Sequence, residues 1–338
     1  MAKERDIYPD IIRIFAYCCV VLLHSLTPVI TDAGLYGSFS WYFTIAANAV
    51  ARAGVPLFLM LSGHLLLGRE ERPLAFYRRR FPRILVPLLA WNVVYFLSSV
   101  GRGEASPTVD AFLAVLLDNG SAYHLWYLYT LAGLYLLLPF FSVICRNCTR
   151  GELFALLLVT LFPGTIRPFL NTHLPVYLYL FGVLVEGYLG YVLLGYLLGR
   201  MELTRTAVLA ACACVALGIW MSVTGNAAAS SAEGIALPAN GGYMLHHYLC
   251  AGGMFVLLRR IFEGRDASPK ARRALSTLSG ATFPAYGVHV LILNALQESP
   301  PAPPITLWVI GSAALTAAAG LAFGFLVRTF RATRVIFG

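Results

Sequence analysis

Asp10-Ile-Ile-Arg-Ile-Phe-Ala-Tyr-Cys-Cys-Val-Val-Leu-Leu-His24 is an apolar run that carries a carboxylate, a guanidinium and an imidazole. Its hydrophobicity points to a membrane helix. Arg13 and His24 are eleven residues apart, about three helical turns, so they share one face at a separation of about 16 Å along the axis. Asp10, one turn before Arg13, joins that face. A cation near one end of a membrane helix and an imidazole near its middle are costly in lipid, and such residues face a bundle interior or a watered cavity. The stretch therefore predicts a reaction site or pathway inside the bilayer.

The rest of the chain fits that reading. Hydrophobic residues make up 59%, charged residues 12%, and the mean hydropathy is +0.72, outside the range of soluble domains. Apolar runs of spanning length predict an all-α integral membrane protein with about ten crossings, at 11–30, 41–67, 84–100, 122–144, 152–163, 176–199, 205–224, 241–262, 276–297 and 305–327. The fifth is short for a crossing and suits a tilted or broken segment. No cleavable signal peptide is expected, because the first run opens on charges and lacks a small-residue cleavage site. The reading is one membrane domain over 1–338 with no soluble domain, as each loop is short and Ser299-Pro-Pro-Ala-Pro-Pro304 only punctuates helices. No internal repeat is evident, which counts against inverted-repeat transporters.

Basic residues set the orientation. About 21 of the 25 Lys and Arg fall on one side of this ten-span scheme, so both termini are expected in the cytoplasm. The net charge of +9 is mainly this topology signal, and because it is divided among short membrane-flanking segments no nucleic-acid partner is expected. The seven cysteines are scattered. Cys145-x-x-Cys148 lacks the second pair a metal knuckle needs, so inert thiols and no metal are expected.

Sorted by depth, the polar residues form two layers. A central layer holds His24, Arg52, Glu186 and His289, and an inner layer holds Asp10, Arg13, Ser62 and the cytoplasmic arginines. Each has a bland reading: Arg52 and Glu186 suit a structural ion pair, and His24 and His289 suit hydrogen-bonded core histidines. Four ionisable groups at one depth nonetheless point to function. Phe76-Tyr-Arg-Arg-Arg-Phe-Pro-Arg83 has four arginines in six positions. It can be a topology anchor, yet guanidinium forks bind phosphate oxygens bidentately, and a cytoplasmic phosphate-bearing ligand suits the loop.

These residues resemble the acyltransferase 3 family of integral-membrane O-acyltransferases over most of the chain. Arg13 and His24 are similar to that family's first-helix pair. Val55-Pro-Leu-Phe-Leu-Met-Leu-Ser-Gly63 is similar to its Phe-Phe-x-x-Ser-Gly motif, with Leu59 for the second Phe, and Arg80-Phe-Pro-Arg83 to its Arg-x-x-Arg loop. His124-Leu-Trp-Tyr-Leu-Tyr129, Gly190-Tyr-Val-Leu-Leu-Gly-Tyr196 and Tyr286-Gly-Val-His289 resemble its later landmarks, while His64 departs from the usual aromatic residue. The resemblance implies ten core helices in a bacterial cytoplasmic membrane. It also implies transfer of an acyl group, usually acetyl from acetyl-CoA, to a hydroxyl of a glycan or of a lipid-linked or surface polysaccharide precursor. The chain looks like the form without a fused extracytoplasmic hydrolase-like domain.

The residues suit that chemistry. Arg80, Arg83 and Arg13, with Ser62 nearby, would hold the phosphates of acyl-CoA while its pantetheine arm reaches inward. His24 would act as general base on the acceptor hydroxyl, or would itself carry the acyl group. Asp10 would orient Arg13. Arg52, or His289 as a neutral donor, would stabilise the oxyanion, and Glu186 would support Arg52. A transporter or flippase without acyl transfer, as in family members linked to amino-acid supply, explains the central layer but gives Arg80 and Arg83 no task. A non-catalytic scaffold needs neither layer. The outward loops 31–40, 101–121, 164–175 and 225–240 carry no sugar-binding signature. Trp41, Tyr123 and Trp126 suit interfacial anchoring or sugar stacking.

Overall fold

Pro9 and Asp10 sit in the first turn of α1 (Tyr8–Ser25), where proline needs no amide donor and a carboxylate complements the helix dipole. The helix stops before Leu26, and Thr27-Pro28 starts the short α2 (Thr27–Ile30). The run expected as one crossing over 11–30 is thus broken, and His24 lies in the last turn of α1 rather than at mid-helix. A computed structural model describes residues 6–118, 121–161, 188–238, 244–298 and 304–338. It is all-helical, with 82% helix and no strand among the described residues.

The second expected crossing is also divided. α3 (Phe39–Ala51) and α4 (Gly54–Leu66) meet at Arg52-Ala53. The arginine loop expected over 69–83 folds into α5 (Pro73–Arg80), and α6 (Pro82–Gly101) begins two residues later, so Arg80 and Arg83 flank a helix junction. Further along are α7 (Val109–Leu117), α8 (Trp126–Asn147), α9 (Arg150–Leu161), α10 (Tyr188–Leu198) and α11 (Arg205–Ala229). The chain closes with α12 (Leu245–Phe262), α13 (Pro269–Gln297), α14 (Ile305–Thr329) and α15 (Arg331–Phe337).

Among the described residues, six stretches are long and apolar enough to cross a membrane: Tyr8–Ser25, Phe39–Leu66, Pro73–Gly101, Tyr123–Asn147, Arg205–Ala229 and Ile305–Thr329. Two further expected crossings, 241–262 and 276–297, are helical as α12 and α13 but fall below that hydropathy. They lie inside the bundle and bury His246, His247, Thr282 and His289. Interior helices touch protein instead of lipid, so they tolerate polar residues that lower their hydropathy. The expected crossings at 152–163 and 176–199 are described only as α9 and α10. Residues 162–187, and with them Glu186 and its expected pairing with Arg52, lie outside the described residues.

α1 is the hub, touching α3, α4, α12, α13 and α14. α11 lies at the rim: only 17% of its apolar window is buried, against 67% over Phe39–Leu66. Leu209, Trp220, Leu307 and Leu326 stand exposed on α11 and α14. An apolar face turned outward in this way belongs against lipid.

α4 and α10 pack backbone on backbone. A Cβ on Gly63 would come within 1.7 Å of the Val192 carbonyl oxygen, and one on Gly195 within 2.0 Å of the Met60 carbonyl oxygen. The glycine of the Ser62-Gly63 motif therefore meets a packing demand, as small residues do where membrane helices approach closely. Gly287 plays the same part on α13, where a Cβ would reach 2.0 Å from the Trp91 ring.

Candidate active site

The two ends of α1 carry different chemistry. At the N-terminal end Arg13 Nη1 donates to Asp10 Oδ1 at 3.1 Å, an ion pair between consecutive turns. Arg13 of this pair lines a cavity of about 420 Å³, together with Asp6, Tyr8, His64 and Arg69, among others. The Tyr8 hydroxyl and His64 Nε2 are hydrogen-bonded at 2.5 Å, linking α1 to α4 across it. Ser62 Oγ approaches the Tyr135 hydroxyl at 3.5 Å while donating to the Phe58 carbonyl at 3.2 Å. Arg13 and Arg80 both lie within electrostatic reach of that tyrosine. The fold thus brings Asp10, Arg13, Ser62 and Arg80 into one neighbourhood.

Arg80 is not a bare cation there. Its Nη1 donates to Glu71 Oε2 at 2.7 Å, and its guanidinium lies 4.2 Å from the centre of the Phe76 ring. Glu71 also pairs with Arg79 at 3.2 Å. Arg83 stands exposed on the first turn of α6. The expected pair of phosphate-binding arginines is therefore split into one guanidinium already paired to a carboxylate and one open to its surroundings.

At the C-terminal end of α1, half-buried His24 faces other rings. Its centroid is 5.2 Å from that of His289, with the planes 29° apart, and 5.0 Å from that of Tyr123. The His124 ring is 5.0 Å from His289 and T-shaped to it. His124 and His289 are fully buried. Arg52, at the junction of α3 and α4, donates from Nε to Asn48 Oδ1 at 2.9 Å and lies within electrostatic reach of His24. Of the expected central layer, His24, His289 and Arg52 are thus brought together.

The hydrogen bonds of the buried imidazoles fix their tautomers. His289 Nδ1 faces the Tyr286 carbonyl, which can only accept, so Nδ1 carries the hydrogen. His289 Nε2 then holds a lone pair, and it is buried with no hydrogen-bond partner among the described residues. In this tautomer neutral His289 accepts at that atom, whereas its expected role was that of a neutral donor. His124 Nε2 likewise faces the Gly287 carbonyl at 3.4 Å, leaving Nδ1 bare and buried. The Tyr95 hydroxyl donates to the same Gly287 carbonyl at 2.8 Å, and the Tyr286 hydroxyl donates to the His124 carbonyl.

Sequence reasoning missed four participants. His124 was visible only as a motif landmark, and Tyr123 as an interfacial aromatic. His64 was visible only as a departure from a family pattern, and Arg69 as one more topology charge. Their shared signal was a polar or aromatic residue at the end of an apolar run, which does not reveal the partner helix.

A family model described as an acyltransferase domain matches residues 6–325, nearly the whole chain. A curated relative, an amino-acid racemase of Enterococcus faecalis, is 28% identical over 137 residues, covering 37% of this chain and 18% of that protein. The match thus spans less than a fifth of the racemase. No solved structure matches the chain.

Proposed function

The chain belongs to this acyltransferase family, and from that premise we propose that it moves an acyl group, acetyl in the simplest case, from cytoplasmic acyl-CoA to a hydroxyl of a glycan or lipid-linked polysaccharide precursor. The observation that carries the proposal is the two-ended α1. A cationic cavity lies at one end and an imidazole cluster at the other, about 16 Å away by helical rise. A donor with phosphates at one end and a thioester on a thin arm suits that division.

In this reading ten crossings in a bacterial cytoplasmic membrane put both termini and the Arg13 end in the cytoplasm. Arg13, Arg83, Ser62 and Arg80 hold the donor, joined by Arg69 from the cavity wall, and Asp10 fixes Arg13. Arg80 serves only once Glu71 releases it. His24 takes the acceptor hydroxyl's proton as its oxygen attacks the thioester carbonyl. Arg52 stabilises the tetrahedral oxyanion. Collapse expels the CoA thiolate, which takes the proton back from His24.

One observation favours a second reading: the helical hydrogen-bond ladder is interrupted at Arg52-Ala53 inside one crossing, though the backbone there stays helical, and transporters interrupt their helices at binding sites. A single experiment decides. Membranes containing the protein receive labelled acetyl-CoA, and label is counted in glycans and lipids. The native chain should transfer label. His24→Gln should lose about 10²–10⁴ of the rate yet keep acetyl-CoA binding. Solute transport in proteoliposomes with no acyl transfer would install the transporter reading instead.

A further inference from the structure

We propose that His289 is a positioning residue for His24: its bare Nε2 receives a hydrogen bond from one ring nitrogen of His24 and leaves the other to face the acceptor hydroxyl. The inference rests on the acyl-transfer reading. Its first ground is the tautomer. The Tyr286 carbonyl takes the Nδ1 hydrogen, so the buried Nε2 can only accept, and no described residue donates to it. Leaving a buried acceptor without a donor is costly, so such an atom calls for a donor. His24 is the neighbour that can supply one.

The second ground is distance. Two imidazoles that share an N–H···N bond of about 2.9 Å have ring centres roughly 5 Å apart. His24 and His289 stand at 5.2 Å, stacked with 29° between planes, so the centres are already at the right separation and the bond forms when the His24 ring turns edge-on to His289. The His24 ring has no hydrogen bond to any other described residue, so among those residues no hydrogen bond opposes that turn.

The third ground is the frame around His289. His124 Nε2 and the Tyr95 hydroxyl both donate to the Gly287 carbonyl, and the Tyr286 hydroxyl returns to the His124 carbonyl. The Trp91 ring fills the space beside the Gly287 Cα. Residues 286–289 are therefore held by α6, by the turn before α8 and by their own helix. His289 is the fixed ring and His24 the turning one.

The proton balance is simple. The acceptor O–H bond breaks, and its proton moves to the outer His24 nitrogen. The imidazolium formed donates its other N–H to His289 Nε2. When the tetrahedral species collapses, the proton leaves His24 for the CoA thiolate. His289 gains no proton and no acyl group.

Two substitutions separate this role from a structural one. The amide nitrogen of His289→Asn takes the place of Nδ1 and keeps the bond to the Tyr286 carbonyl, with nothing in the place of Nε2. His289→Gln puts an amide oxygen near the place of Nε2 and gives up the Tyr286 bond. In the labelled acetyl-CoA assay, His289→Asn should lower kcat on the order of 10²-fold with KM for acetyl-CoA unchanged, and His289→Gln should recover roughly tenfold of it. Asn retaining as much activity as Gln, or both matching the native protein, overturns the proposal and leaves the acyl-transfer reading standing. A native protein that transfers no label overturns that reading and this one with it. Should neither variant fold, nitrogen NMR of isotope-labelled histidines in the native protein reads the tautomer directly. A hydrogen on His289 Nε2 overturns the assignment, and a bare Nε2 supports it.

Discussion

A neutral imidazole donates at one nitrogen and accepts at the other, and its neighbours decide which. The same rule of occupied valences governs the arginines. A guanidinium already paired with a carboxylate must exchange that partner before it can hold phosphate. Arg80, on Glu71 and against Phe76, differs in this from exposed Arg83. Arg83→Ala and Arg13→Ala are each expected to weaken acetyl-CoA binding by about 1.5–3 kcal/mol, the worth of a charge-assisted contact. Glu71→Gln is expected to strengthen it by releasing Arg80. Titration calorimetry on detergent-solubilised protein measures all three. Unchanged affinity in both alanine variants would remove the donor from this end of α1.

At the scale of elements, glycines decide which helices come together. The α4–α10 contact has main chain on both sides, with Gly195 facing the backbone of Met60 and Gly63 facing that of Val192. A methyl group there meets main-chain atoms that cannot turn aside, unlike the end of a flexible side chain. Gly195→Ala is expected to destabilise the fold by about 1–3 kcal/mol or more, the usual range for overpacking. The readout is a lowered midpoint in thermal unfolding followed by size-exclusion chromatography. The shift of α4 would also disturb His64 and Ser62, so acetyl-CoA binding should weaken together with stability. A variant with native midpoint and affinity would show that α4 and α10 have room to separate.

For the whole molecule, the hub position of α1 joins the cationic cavity to the imidazole cluster. The proposed mechanism needs the cavity at the cytoplasmic face and the imidazole cluster about 16 Å deeper by helical rise. Single cysteines introduced at 101–118, in a background where the seven native free thiols are replaced, should react with an impermeant reagent from outside intact cells. Those at 69–83 should react only after the membrane is opened. External labelling at 69–83 would reverse the orientation and move the donor site away from the cytoplasm.

Hydropathy and charge spacing along the chain were enough to declare a helical membrane protein, because spanning length and the cost of a buried charge are local properties of sequence. They were also enough to put Arg13 and His24 on one face, since helical periodicity needs no partner. Motif order identified the acyltransferase family that the match over 6–325 confirms. The break after Ser25 was harder to see, because the apolar run continues and Leu26 keeps helical backbone angles, so the interruption rests on Pro28, which has no amide hydrogen to give. The apolar runs also located α12 and α13, although their inward-turned polar residues lower their hydropathy. The tertiary structure alone decided that His24, His124 and His289, far apart in sequence, share one cluster, that Glu71 occupies Arg80, and that His289 presents a lone pair at Nε2. Each depends on how one helix is rotated against another, and that is set by close packing between side chains distant in the chain, which no local pattern records.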